Sequence, residues 1–95
     1  MNPPFSAKAL FPMGQLVATP AALAAVPYRD LIHALGRHSR GDWGEVDDED
    51  QASYDRALKC DARLLSVYVA SCGNRFWIIT EGDRSATTIL LPGEY

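Results

Sequence analysis

The stretch RLLSVYVASCGNRFWIITEGDRSATTILL, residues 63–91, decides the fold of this chain. It is rich in Val, Ile, Tyr, Trp and Thr, which are residue types that favour β-strands. Gly73-Asn74 and Gly82-Asp83 interrupt it at positions typical of two-residue hairpin turns. The stretch therefore predicts an antiparallel meander of three strands, over residues 63–71, 75–81 and 84–91.

Two-residue turns would also fix which side chains share a face of this meander. One face is almost wholly apolar and should pack against helices; it carries Leu65, Val67, Val69, Phe76, Ile78, Thr80, Thr87, Ile89 and Leu91. The other face carries an apolar patch with a charged rim. The patch consists of Tyr68, Trp77, Ile79 and Leu90, and the rim of Arg75 and Glu81.

An apolar patch of this kind needs cover. A sheet face in contact with water is usually polar, and exposed apolar patches commonly mark interfaces. We therefore expect a protein partner on the patch, most simply a second copy of the chain. The alternative is that the first strand and the N-terminal segment fold over it.

The segment 15–59, which precedes the meander, predicts a mostly helical part. Gln15–Thr19 is short and β-prone and predicts a strand. Thr19 followed by Pro20 is a typical helix start, with a hydroxyl at the N-cap and proline at the first helical position. It predicts a helix over 20–25.

Two longer helices should follow. Apolar residues spaced at i, i+3, i+4 and i+7 predict a helix over 27–37. Asp48, with Gln51 three residues later, resembles a capping box and predicts a helix over 48–59. The elements together indicate an α+β fold, with a short N-terminal strand and two to three short helices packed on the three-stranded antiparallel meander.

Composition agrees with one small domain that spans residues 1–95. Apolar residues make up 47% of the chain, which suffices for a single core, and only residues 1–9 are expected to be loose. Twelve acidic and nine basic residues give a net charge of −3. This charge argues against a nucleic-acid partner, because nucleic-acid binders are usually basic.

The cysteines and the apolar runs indicate the cytoplasm. Cys60 and Cys72 would lie at opposite ends of one strand, about 40 Å apart, whereas a disulfide needs Cα atoms within about 7 Å. Two free thiols fit a reducing compartment. No apolar run approaches the length of about 18 residues that spans a membrane, so we expect a soluble cytoplasmic protein.

The segment RHSRGDWGEVDDED, residues 37–50, holds six acids within 42–50. Most of them are explained as a cap for the helix over 48–59, where negative charge is favoured; the alternative is that they bind a partner. The candidates for partner binding are Asp42, Asp47, Asp48 and Asp50. Trp43, between two glycines, is either a buried anchor, which we favour, or an exposed contact.

No motif in the chain predicts chemistry. His33, His38 and the two cysteines carry no nucleophile–base signature. Neither a phosphate-binding loop nor the spacing of a calcium-binding EF-hand is present. We therefore expect no catalytic residue, no cofactor and no metal site.

One enzymatic alternative is the cleavage of RNA. The predicted order of a strand, two helices and three strands resembles small ribosome-dependent ribonuclease toxins of bacteria, which bind phosphate through side chains on the sheet. The resemblance implies a site formed by Arg63, Tyr68, Arg75 and Arg84. The negative net charge opposes binding to an RNA backbone.

A wider resemblance covers about residues 9–95. The segments LFPMGQLVATPAAL, RHSRGDWGEVDDED, ALKCDARLLSVY and WIITEGDRSATTILLPGEY resemble a family of small uncharacterised bacterial proteins carried on plasmids and integrated mobile elements. The resemblance implies a mobile-element protein and carries over no catalytic residue. Such elements encode acidic inhibitors of host defence, so segment 42–50 suggests an anti-defence role, of anti-restriction or anti-CRISPR type, against a host defence complex. That role is the alternative to our leading hypothesis, a non-enzymatic, homodimeric protein-binding module.

Overall fold

The structure is a computed structural model that describes residues 9–95. Its elements in chain order are β1 (Gln15–Ala18), α1 (Pro20–Ala25), α2 (Tyr28–Ser39), α3 (Asp48–Lys59), β2 (Leu64–Val69), β3 (Arg75–Thr80), β4 (Ala86–Leu90) and a 3-10 turn (Pro92–Glu94). The predicted α+β class is confirmed, as are both ends of α1 and α3. The segment expected to be loose, 1–9, lies outside the described residues apart from Ala9.

Four strands form one mixed sheet in the order β1-β4-β3-β2. β2, β3 and β4 make the antiparallel meander, and β1 extends it by pairing parallel to β4. The three helices carry the chain from β1 at one edge of the sheet to β2 at the other. The Cα atoms extend over 34 × 33 × 19 Å. Since a helix is about 10 Å across, the short dimension holds one helix layer and one sheet layer.

Local signals set the starts of the helices. The hydroxyl of Thr19 accepts a hydrogen bond from the amide of Ala22 at 3.1 Å, as the sequence predicts for α1. α3 is capped by Asp47, whose carboxylate accepts from the amide of Asp50 at 2.8 Å. The predicted cap, Asp48, is instead the first helical residue. In a run of acids, neighbouring positions offer the same capping group, so the sequence does not separate them.

The first hairpin has a different register from the predicted one. Tyr68 pairs with Phe76, and Val67 pairs with Trp77, because residues 70–74 form the connection instead of a two-residue turn. The shift is an odd number of residues, which turns β2 over relative to β3. Tyr68 therefore faces the helices, and the predicted patch that joins it to Trp77 does not form.

Contacts with the helices account for this longer connection. Ser71 donates from its amide and its hydroxyl to the Asp30 carboxylate, at 3.0 and 2.7 Å. Asn74 donates through its side-chain amide to the carbonyl of Ala25 at 2.9 Å. These bonds dock the connection on the neighbouring ends of α1 and α2. Tertiary hydrogen bonds thus outweigh the local turn preference of Gly73-Asn74.

The second hairpin is also longer than predicted, but it keeps its faces. Residues 82–85 form the turn, with Arg84 in the left-handed region at φ 62°. The shift from the predicted register is even, so Ile79 and Leu90 stay on the same face as Trp77.

The core lies between the helices and one face of the sheet. From the sheet it takes alternate residues of the strands: Leu64, Ser66, Tyr68, Phe76, Ile78, Thr80, Thr87 and Ile89. From the helices and the connecting segments it takes Phe11, Ala22, Val26, Leu31, Leu35, Trp43 and Ala57.

Candidate functional site

The opposite face of the sheet is the first candidate surface, and we call it the helix-free face. Its members are Gln15, Val17, Leu65, Val67, Val69, Arg75, Trp77, Ile79, Ala86, Thr88 and Leu90. The face thus brings together four of the predicted contact residues: Arg75, Trp77, Ile79 and Leu90. It does not include the fifth, Tyr68.

Residues that follow β4 cover the centre of this face. The turn Pro92–Glu94 lies against β3, and the ring of Tyr95 meets Trp77 edge-on, with ring centres 5.4 Å apart. Ile79 and Leu90, which neighbour Trp77 on the face, are buried. The chain therefore covers part of the patch itself. The covering segment is the one after β4 and not the first strand, which pairs with β4 instead.

One arginine holds this segment in place. Arg63 donates to the hydroxyl of Tyr95 at 2.7 Å and forms an ion pair with Glu81 at 3.2 Å. The apolar side chains that stay most open on the face are Val69, 46% exposed, and Val17, 41% exposed. They lie on the two outermost strands, so the uncovered apolar surface is at the two sides of the face.

Tyr68 is held in the core by contacts with the segment that leads to Trp43. Its hydroxyl donates to the carbonyl oxygen of Asp42, and the guanidinium of Arg37 lies over its ring at 4.7 Å. Burial raises the pKa of its phenol. The prediction that Tyr68 contacts a partner is therefore wrong, and its cause is the register of the first hairpin.

Trp43 is a buried anchor, the interpretation that we favoured from the sequence. Its side chain is 2% exposed and packs against Phe11, His38 and Tyr54. The indole donates to the carboxylate of Asp55 at 3.0 Å. A buried indole with a bonded N–H fixes its segment to the body of the protein.

The Trp43 segment covers the outer edge of β2 at its middle, beside Val67. The amide of Val67 donates to the carbonyl of Trp43 at 2.9 Å, and the amide of Glu45 donates to the carbonyl of Val67 at 2.7 Å. Between them Gly44 has φ 78°, and a Cβ there would overlap the Val67 carbonyl oxygen. Only glycine allows this close approach of the two backbones.

The opposite edge of the sheet, β1, has no such cover among residues 9–95. The amides of Gln15 and Thr19 donate to carbonyls of the β4 side, both at 3.0 Å. Because backbone groups alternate along a strand, the peptide groups that point outward belong to Leu16 and Ala18. β1 holds no charge and no proline, and Leu16 and Val17 are 43% and 41% exposed.

Some of the acidic side chains already have partners within the chain. Asp42 forms an ion pair with Arg37 at 2.8 Å, and this hydrogen bond lowers the pKa of Asp42. Asp47 caps α3. Asp48 and Asp50 lie in the first turn of α3 and are exposed. All four predicted binding carboxylates are therefore exposed, and two of them also have structural roles.

A chain of hydrogen bonds runs through the core from β2 to the segment that leads into β1. His38 contacts Ser66 through Nδ1 at 2.5 Å and Thr80 through Nε2 at 2.8 Å. Thr80 contacts Thr87 at 2.7 Å, and Thr87 donates to the carbonyl of Met13 at 2.6 Å. The side chains of His38, Ser66, Thr80 and Thr87 have no exposed surface. The chain thus joins α2 to β2, β3 and β4.

The Met13 carbonyl can only accept, and this fixes the direction of the bonds in the chain as far as Nε2 of His38. Thr87 donates to Met13, so Thr80 donates to Thr87. Nε2 of His38 then donates to Thr80. Burial lowers the pKa of His38 to about 3, so the ring is neutral and its proton is on Nε2. Ser66 therefore donates to Nδ1.

The contact of Ser66 with His38 has the form of a nucleophile beside a base. Neither side chain has any exposed surface, so the pair ties secondary-structure elements together and offers no access to a substrate. The pair was not predicted, because the predicted register of the first hairpin placed Ser66 on the other face. Only the correct register would have revealed a polar residue facing α2.

The four residues of the ribonuclease alternative do not converge. Tyr68 lies in the core, whereas Arg63 and Arg75 lie at opposite ends of the helix-free face. Arg84 donates to the carbonyls of Ala57, Ala62, Glu81 and Gly82. It therefore braces the second hairpin turn against the end of α3.

Relatives give no guide to this arrangement. Comparison with protein-family models, with curated proteins and with solved structures finds no match for the chain. No helix among residues 9–95 is long and apolar enough to span a membrane. The function is therefore inferred from the sequence and the geometry.

Proposed function

We propose that the protein is a non-enzymatic protein-binding module of a mobile genetic element, acting as a homodimer in the cytoplasm. One observation carries this proposal: helices cover one face of the sheet, while apolar side chains of the opposite face remain open to solvent. Val69 and Val17 are the most open, and Leu65, Val67 and Trp77 are partly buried. Burial of apolar surface by a partner contributes about 25 cal/mol of favourable binding free energy for each Å² removed from water.

The distribution of charge supports an interface at this face. The charged side chains that the strands place on this face lie at its ends: the pair of Arg63 and Glu81 at one end, and Arg75 at the other. Interfaces commonly have an apolar centre and a polar rim. On the strands of the helix-free face, apolar residues likewise lie between the charged ends.

The experiment is a comparison of captured proteins. The immobilised protein and its Val69→Glu variant are exposed to a lysate of the bacterial host, and captured proteins are identified by mass spectrometry. Tyr28→Glu, which changes an exposed aromatic residue on α2, serves as the control. We expect proteins that wild type and control retain and Val69→Glu loses. Identical sets for all three would contradict a binding role for this face.

A second candidate is inhibition of a host defence complex through the acidic segment. It is favoured by the exposed carboxylates Glu45, Asp48, Glu49 and Asp50, which lie at and before the start of α3. Asp48→Lys combined with Asp50→Lys leaves the Asp47 cap intact and should abolish protection of an incoming plasmid. Unchanged plasmid survival with this variant would reject the candidate.

A further inference from the structure

We propose that the two copies of the homodimer meet at β1. Their β1 strands pair edge to edge and antiparallel, so that one sheet runs through both copies with four strands from each. This inference rests on the homodimer of the proposed function and states where the copies join.

The two edge strands of the sheet differ in how they are protected. Natural proteins protect an open edge strand with charge, proline, a bulge or a covering segment, because an open edge is a template for another strand. The β2 edge has such a cover in the Trp43 segment. β1 reads QLVA and has none of these devices among the described residues. Within residues 9–95, one edge is covered and the other is left open, which suits β1 to pairing.

The geometry of β1 allows a symmetric pair. A two-fold axis perpendicular to the sheet passes beside Val17 and brings Leu16 opposite Ala18 of the second copy. The outward peptide groups of Leu16 and Ala18 then form about four main-chain hydrogen bonds between the copies. Val17 lies opposite Val17 of the second copy, as a β-branched cross-strand pair.

A second copy fits this edge better than a chain of other composition. Two-fold pairing places an uncharged strand against an identical uncharged strand, so no charge is buried or left unpaired. Leu16 on the helix side and Val17 on the helix-free side both lose contact with water. Each side of the joined sheet thus gains an apolar contact.

The pairing also enlarges the binding surface. This two-fold axis keeps both helix layers on one side, so the two helix-free faces become continuous. One face, including the segment Pro92–Tyr95 that covers its centre, measures about 20 × 19 Å, from strand length and spacing. This area is about half of the roughly 800 Å² that a standard interface takes from each partner. Two joined faces reach that size. The homodimer therefore provides a surface that a single copy lacks.

The test uses opposite charges at the symmetry axis. Val17→Lys and Val17→Glu each place two like charges opposite one another, and like charges in this position destabilise strand pairing. By sedimentation analysis we expect wild type and the Tyr28→Lys control to be dimers and each Val17 variant alone to be a monomer. A mixture of the two variants should return to the mass of a dimer. Val69→Glu, on the far strand, should remain a dimer.

Other outcomes separate the two proposals. A wild type that stays monomeric at all concentrations overturns both the homodimer and this inference. Dimers that persist in both Val17 variants but are lost in Val69→Glu overturn the inference alone and place the second copy on the helix-free face. If the charged variants fail to fold, Ala18→Pro tests whether the copies pair at β1. It removes an outward amide and leaves the bonds to β4 intact, so a dimer of this variant overturns the inference.

Discussion

The two edges of the sheet differ in whether another segment of the chain is bonded to them. At β2, Val67 exchanges hydrogen bonds with the Trp43 segment, and the buried indole of Trp43 holds that segment in place. At β1, among residues 9–95, no strand lies outside Leu16 and Ala18, and the neighbouring apolar side chains are open to solvent. The first edge belongs to the folded core. The second is bonded to β4 on its inner side only, and it is the edge at which we propose that another copy pairs.

The largest expected effect comes from the anchor of the covered edge. Trp43→Ala should lower the free energy of unfolding by about 3–5 kcal/mol, because it empties a large buried site. Trp77→Ala is the matched control, since Trp77 is only partly buried on the helix-free face. Urea denaturation measures both. Equal losses would show that the Trp43 segment is not part of the core.

Gly44→Ala should also open the covered edge. The new Cβ meets the Val67 carbonyl oxygen in a left-handed backbone, and we expect a loss of about 3 kcal/mol. Gly73 also has a positive φ, but no atom lies within 4 Å of an added Cβ. Gly73→Ala should therefore cost only about 1–2 kcal/mol. A Gly44→Ala protein as stable as Gly73→Ala would contradict the close backbone approach.

The buried His38, in the hydrogen-bond chain that links β2 to the segment before β1, makes the stability of the protein sensitive to pH. The pKa of His38 is about 3 in the folded state, against about 6.5 in the unfolded chain, so the unfolded state takes up the proton first. The free energy of unfolding therefore reaches its full value above about pH 6.5. It falls as the pH is lowered toward 3, by up to about 1.4 kcal/mol per pH unit.

Urea denaturation between pH 6.5 and 5 measures this slope, in a range where carboxylates of ordinary pKa titrate little. His38→Gln removes the titrating group and should flatten the dependence, although the variant is less stable. An unchanged slope in His38→Gln would show that another group is responsible.

A smaller effect is expected at the β1 end of the hydrogen-bond chain. Thr87→Val removes the donor to the Met13 carbonyl and should cost about 1–2 kcal/mol, the usual cost of a buried polar group without a partner. Thr88→Val, on the helix-free face, is the control and should be nearly neutral. If the two variants are equally stable, the Thr87 bond does not stabilise the approach to β1.

The smallest effect on stability is expected at the open edge itself. Val17→Lys should change the free energy of unfolding of a single copy by less than about 0.5 kcal/mol, because Val17 is largely exposed. Denaturation at protein concentrations low enough to keep the chain monomeric measures this value. A loss of about 2 kcal/mol or more would mean that β1 is part of the core, and the contrast between the edges would disappear.

Local signals in the sequence predicted much of the fold. Thr19 with Pro20 marked the start of α1, and the acids before Gln51 marked α3 to within one residue of its cap. The strands were recognised from their β-branched and aromatic residues. These features depend on neighbours in the chain, so a single sequence contains them.

The features that require distant contacts were missed. The 70–74 connection is set by Asp30 and Ala25, and an error of an odd number of residues there moved Tyr68 and Ser66 to the wrong face. The parallel pairing of β1 with β4 and the chain through His38 also join residues far apart in sequence. The segment after β4 likewise covers Trp77 through a tertiary contact that no local pattern indicates.

Hydrogen exchange of two sets of amides tests the central contrast most directly. The amide of Val67, bonded to the Trp43 carbonyl, should be protected at every protein concentration. The amides of Leu16 and Ala18 should exchange rapidly in dilute solution and gain protection as the concentration rises and copies pair. Protection of Leu16 and Ala18 in dilute solution, or rapid exchange that no concentration slows, would contradict an open edge that joins a second copy.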